Sequence, residues 1–286
     1  MHTWPGQLWR RDVPIPLLFV IGGCSSYCGA ALAVVLFERL SPAGVAWLRM
    51  LVAALVLLTW RRPGRAVWRG RRLILAGCFG VVTGLMNIAF YEAIARLPLG
   101  TAVAVEFCGP VAVAALGSRS VRDVAALLLA ATGVALIADV QLAGNPAGLL
   151  LALLAAVLWA VYIVLGKRVA SGGNGLDDMT TGFVLAAVLL CPLALDTGPA
   201  WTSLSLLAMA AAVGVLSTAL PYALDQVVLR RVGQARFALL LALLPAVASV
   251  IGFLVLGQLP RPLEAAGIAI VTVAVALSGP AVPASR

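Results

Sequence analysis

The chain has 286 residues, of which 63% are hydrophobic and 11% charged, with a formal net charge of +9. Soluble domains average about 25% charged residues, so this composition excludes a water-soluble fold and points to a membrane protein. The excess of base over acid would suit a nucleic-acid partner, but basic membrane proteins owe such charge to loops that stay in the cytoplasm, and no nucleic acid is expected.

Crossing about 30 Å of hydrocarbon takes roughly 20 apolar helical residues, and ten runs qualify or nearly so. They lie near 15–37, 43–60, 73–91, 97–117, 124–138, 148–166, 179–195, 202–224, 237–257 and 265–280. The runs are unbroken Leu, Ala and Val rather than alternating ten-residue segments, which excludes a barrel and predicts an all-α membrane protein of ten transmembrane helices. Arg10 and Arg11 before an apolar run ending at Cys24 imitate a signal peptide, but the run is too long for one and is read as the first span. With both termini cytoplasmic, sixteen Lys and Arg fall inside, and Arg39, Arg96 and Arg261 fall outside. "RRPGRAVWRGRR" then stops the second helix on the inner side.

Arg49 is the basic residue left over, roughly 9 Å in from the outer end of the second span. In the third, Asn87 and Tyr91 share a face, and Glu92 ends the helix on the outer side. The fourth contains "VEFCGPVAVAAL", which places Glu106 about 13 Å deep. Pro110 has no N–H for the carbonyl of Glu106, and Gly109 thins the helix beside that kink. An acid at this depth belongs to a cavity or a partner, with a proton, a substrate ammonium or Arg49 as candidates. Trp159 and Tyr162 in the sixth span, and Thr218 and Tyr222 in the eighth, form further one-sided pairs. Asp225 ends the eighth on the inner side; Glu92 and Asp225 are candidate gates at opposite mouths, with Arg49 as gate or ion-pair partner. In the ninth span, Pro245 is expected to free the carbonyl of Leu241.

Shifting the chain by 135 residues lays Tyr27 on Tyr162, Arg96 on Arg231 and Pro110 on Pro245, which adds Tyr27 to the candidate site. Five spans per half is an odd number, so the second copy enters the membrane upside down. The expected units are 1–141 and 142–286, two inverted five-helix repeats with a midplane site and alternating access. Enzymatic chemistry has little to build on. Five cysteines sit in apolar runs without a CxxC pair, His2 is the single histidine, and Ser217 and Cys108 lack a nearby base. No phosphate-cradling glycine loop occurs either, so no enzyme activity, metal or cofactor is expected.

"LPLGTAVAVEFCGPVAVAAL" at 97–116, "LWAVYIVLGKR" at 158–168 and "LSTALPYAL" at 216–224 resemble the EamA branch of the drug/metabolite transporters, closest to the threonine/homoserine exporters. The resemblance covers nearly all ten spans. It implies a cavity lined mainly by the first, third, fourth, sixth, eighth and ninth spans, in a bacterial cytoplasmic (inner) membrane protein that is a monomer or homodimer. It also implies a small amino acid or related metabolite as substrate, exported by proton-coupled or facilitative transport. The substrate ammonium would meet Glu106, and its carboxylate would need donors such as Asn87, Tyr162 or Thr218. Efflux of drugs or hydrophobic cations is the alternative. Two departures bear on coupling: Leu244 stands where these exporters carry an acid before the ninth-helix proline, and Gln258 replaces a common Glu. Glu92 stands where a small or neutral residue is expected, which bears on substrate preference.

Overall fold

A computed structural model describes residues 15–118, 120–170, 175–221, 224 and 243–278, and among them it is all helix and short connection, with no strand. The long helices are α1 (Ile15–Leu36), α2 (Pro42–Arg61) and α3 (Gly70–Ile94). The fourth predicted span is broken into α4 (Leu99–Glu106) and α5 (Cys108–Ser118), and α6 (Val121–Gly144) completes the first half. The second half holds α7 (Pro146–Ala170), α8 (Gly175–Leu189), α9 (Gly198–Thr202), α10 (Leu204–Gly214), α11 (Leu244–Leu256) and α12 (Pro262–Ser278).

Local chemistry sets these boundaries. Ser41 caps α2, its Oγ accepting the Gly44 N–H at 3.0 Å, and Pro42 occupies the first turn, where its missing N–H costs nothing. Arg62 ends α2 in the left-handed region at φ 48. α8 runs into a 3₁₀ turn at Cys191–Thr197 that bends the span by 61°, where Pro192 cannot continue the ladder. Among the described residues, four helices are long and apolar enough to cross a membrane, or five when this bent pair counts as one. Leu99–Val113, Leu204–Thr218, Leu244–Leu256 and Pro262–Leu277 are shorter apolar helices. The outside of the bundle is apolar, with Ile74, Leu128, Val188 and Leu254 all more than half exposed. In water such a surface would aggregate; in lipid it is matched to its solvent.

Without a hydrophobic drive between helices in lipid, close packing at small residues holds the bundle together. A Cβ on Gly80 would strike the backbone of Gly182, so α3 and α8 cross backbone to backbone. Gly133 and Gly267 do the same for α6 and α12. Where α2 meets α8, the buried Trp47 indole donates to the Ala187 carbonyl at 2.8 Å. Polar side chains also tie α8 to the α2–α3 connection: Arg61 pairs with Asp177 at 3.1 Å and Arg72 with Asp178 at 2.6 Å.

Candidate functional site

The eighth predicted span is irregular where its sequence contains Pro221. This proline has no N–H to give to the carbonyl of Ser217, four residues earlier. The chain responds with a π-helical turn over Val215–Ala219, in which the Leu220 N–H reaches back to the Val215 carbonyl. Such bulges leave backbone groups needing partners and recur at functional sites. Two helices supply them here. Ser25 on α1 donates to the Leu216 carbonyl at 2.9 Å, and the Arg49 NH2 group on α2 donates to the Ser217 carbonyl at 3.0 Å. Arg49 Nε also donates to Thr218 Oγ1 at 3.0 Å. Its guanidinium carbon lies 5.4 Å from the centre of the Tyr91 ring, within cation–π range.

Beside this assembly is a small cavity. Arg49, Met50 and Ala53 of α2 line it, with Thr83, Met86 and Asn87 of α3, Phe183 of α8 and Thr218 of the π turn. Thr83 satisfies itself by donating to the Phe79 carbonyl. Asn87 is 8% exposed, and its carboxamide makes no hydrogen bond to any described residue. Tyr91 is fully buried, and its hydroxyl has no partner among the described residues. A buried polar group without a partner costs about 1–3 kcal/mol and calls for a functional explanation.

The expected site residues separate into groups. Asn87, Thr218 and Arg49 come together on the cavity, with the Tyr91 ring against Arg49. Trp159 and Tyr162, neighbours on α7, serve different surroundings. Trp159 meets Phe107 edge to face at 4.7 Å, whereas Tyr162 lies on Phe79 at 4.9 Å in a second apolar cluster with Phe183. Tyr27 is buried in the main core that also holds Tyr91. Glu106 is the last residue of α4 and is buried, though it does not line the cavity. The break at Phe107 follows it, as expected for the turn that Pro110 interrupts, and Gly109 lets the chain touch the Ala156 backbone of α7.

The remaining expected residues take other surroundings. The Arg49–Glu106 ion pair is not formed: Arg49 is held by neutral groups of the π turn, Thr218 Oγ1 and the Ser217 carbonyl. Glu92 pairs with Arg96 one turn along at 2.5 Å, a local pair at the end of α3. Pro245 is buried in the first turn of α11, with Ser249 Oγ donating to its carbonyl at 2.9 Å. Tyr222, Asp225 and Leu241 lie outside the described residues. Gln258 accepts the Leu99 N–H at 2.8 Å, so it caps the start of α4.

The second and seventh spans also line the cavity, through Arg49, Met50, Ala53 and Phe183, beyond those the resemblance implies. Thr83 was legible as the next residue four positions before Asn87 on the same face. Phe183 and Met50 gave no such signal, since nothing distinguishes them from packing residues.

Residues 146–279 match the EamA-like transporter family. The threonine/homoserine exporter RhtA of Escherichia coli (strain K12) is 35% identical over 269 residues, covering 91% of this chain and 90% of the relative. Its counterpart in Salmonella typhimurium (strain LT2) is 36% identical over 263 residues, covering 89% and 88%. A crystal structure of a protein 20% identical superposes with a TM-score of 0.59 over 92% of this chain and 94% of its own, a likeness of fold. On the strength of these alignments, which run nearly the length of both chains, the protein belongs to the EamA-like transporter family and is a transporter rather than an enzyme.

Proposed function

We propose that the chain exports a small amino acid or a closely related metabolite, threonine- or homoserine-like, across the cytoplasmic membrane of a bacterium. The observation that carries this reading is a small, partly polar cavity in a chain 35% identical to threonine/homoserine exporters. The cavity lies where residues 1–141 meet residues 142–286, between α2 and α3 on one side and α8 and the π turn on the other. Alternating access through two inverted five-helix halves suits this placement. Glu106 is the group that would hold a proton or a substrate ammonium in turn, by proton-coupled or facilitative transport. Both termini lie inside.

The packing supports the inverted halves. A shift of 135 residues pairs α1 with α7, α2 with α8, α3 with α10, α5 with α11, and α6 with α12, and carries α4 onto 234–241, outside the described residues. The helix contacts exchange under that pairing: α3 on α7 is answered by α10 on α1, α3 on α8 by α10 on α2, and α5 on α7 by α11 on α1. α2 and α6 each touch their own counterparts. The Arg61–Asp177 and Arg72–Asp178 pairs bring the 61–72 connection and the start of α8 to one end, as the topology requires.

Efflux of hydrophobic cations is the second reading, favoured by Met50, Met86 and Phe183 on the cavity wall. Arg49 speaks against it, since a guanidinium on the same wall repels a cation. Counterflow in proteoliposomes with a panel of labelled amino acids tests the proposal. Movement of threonine or homoserine supports it; if no amino acid of the panel moves while a lipophilic cation does, the second reading replaces it.

A further inference from the structure

The exporter reading leaves open which group takes the substrate's carboxylate. Arg49 is held in an unusual way for a charge inside a membrane protein. Its Nε and NH2 groups are engaged by Thr218 Oγ1 and the Ser217 carbonyl, and its Cζ lies over the Tyr91 ring. Every one of these partners is neutral. No carboxylate of a described residue lies within 4.0 Å of it. Arg49 is only partly buried, but a cation inside a membrane protein with no anion paired to it is costly, and such a group marks a ligand or ion path.

The guanidinium has five N–H donors in a fixed plane, and the two hydrogen bonds above use one edge of it. The rest of that fork belongs to a residue on the cavity wall. Asn87, on the same wall, contributes a carboxamide that no described residue engages. A planar cation with a neutral amide donor beside it complements a carboxylate, which an arginine fork can hold by two parallel hydrogen bonds. Met50, Ala53, Met86 and Phe183 supply an apolar remainder for a short side chain.

We infer that Arg49 is the residue that recognises the substrate's carboxylate, with Asn87 donating beside it and the π turn of the eighth span aiming the guanidinium. This inference rests on the amino acid export reading. It assigns the site a substrate class: compounds with a free carboxylate next to a small side chain, discriminated from their amides and esters. Pro221 has a part in that assignment, because the carbonyl it frees at Ser217 orients the fork. Lysine in place of Arg49 would keep the charge and lose the planar fork.

The test uses the full chain in proteoliposomes loaded with unlabelled threonine, with labelled threonine counterflow competed by threonine, threonine amide and threonine methyl ester. In the unsubstituted protein the free acid should compete at least about 10-fold better than the amide, the scale of one charge-assisted hydrogen bond. Arg49→Gln and Arg49→Lys should raise KM about 10-fold or more and bring the acid-to-amide ratio close to one, a loss of discrimination that general loosening of the bundle would not produce. Chemical labelling of the unsubstituted protein with phenylglyoxal, read at the Arg49 peptide, avoids dependence on variants that fail to fold. Threonine should protect that peptide and threonine amide should not. If the protein transports threonine but both variants keep the acid-to-amide ratio, or the amide protects equally, Arg49 is structural and the inference falls alone. If no amino acid is transported at all, the export reading falls and takes this one with it.

Discussion

Arg72 and Asp178, 106 positions apart, meet in a two-pronged ion pair: Nε to Oδ1 at 2.6 Å and NH2 to Oδ2 at 3.1 Å. Asp178 is almost fully buried, while a third of the Arg72 side chain is exposed. The acid therefore depends on the base more than the reverse. Arg72→Ala should destabilise the protein by about 1.5–3 kcal/mol, the range for a hydrogen bond to a charged group. Asp178→Asn should cost less, because it removes the buried charge along with the pair. Thermal unfolding in detergent checks both. Equal losses would mean that Asp178 is solvated in the membrane-embedded protein.

At a different junction, Gln258 accepts the Leu99 N–H at 2.8 Å, joining the connection after α11 to the start of α4. Gln258→Leu should leave that N–H unsatisfied and lower stability by about 1–3 kcal/mol. Gln258→Glu keeps the acceptor and adds a negative charge at a helix N-terminus, for a gain of about 0.3–1 kcal/mol. Chemical denaturation of the two variants against the parent separates the outcomes. A neutral Gln258→Leu would show that water replaces the cap.

Glu106→Gln keeps size and hydrogen-bonding capacity while deleting the charge. The variant should insert normally and lose the pH dependence of transport, with substrate-driven proton movement falling at least about 10-fold if a charge-assisted contact is lost. A pH-sensitive dye inside the proteoliposomes reads proton movement directly. Undiminished rate and pH dependence would make the acid structural.

Asn87 and Tyr162 predict opposite balances of stability and function. Asn87→Leu replaces an unengaged buried amide with an apolar group, so stability should stay level or rise by about 1 kcal/mol while threonine counterflow falls sharply. Tyr162→Phe preserves the ring against Phe79 and removes one hydroxyl, which should reorder substrate preference with little change in unfolding temperature. Paired measurements of unfolding and counterflow decide. Transport unaltered in both variants would reduce both positions to packing.

The helical class and the apolar spans were legible because hydrocarbon leaves a backbone few options, and runs such as 148–166 declare themselves by length. Asn87 and Thr218 were legible for the same reason: a polar residue deep in such a run has to face inward. The partner of Arg49 was not. Local spacing could place it within reach of the membrane interior, but its contact with Ser217 lies 168 positions away and exists because Pro221 opens one carbonyl toward α2. Composition could not have named Phe183 or Met50 as cavity residues either, since their side chains look like every other core residue. Helix formation is written in neighbours three and four positions apart; which faces meet was decided by where distant backbones can touch, at Gly80 on Gly182 and Gly133 on Gly267, and that is a property of the packed bundle alone.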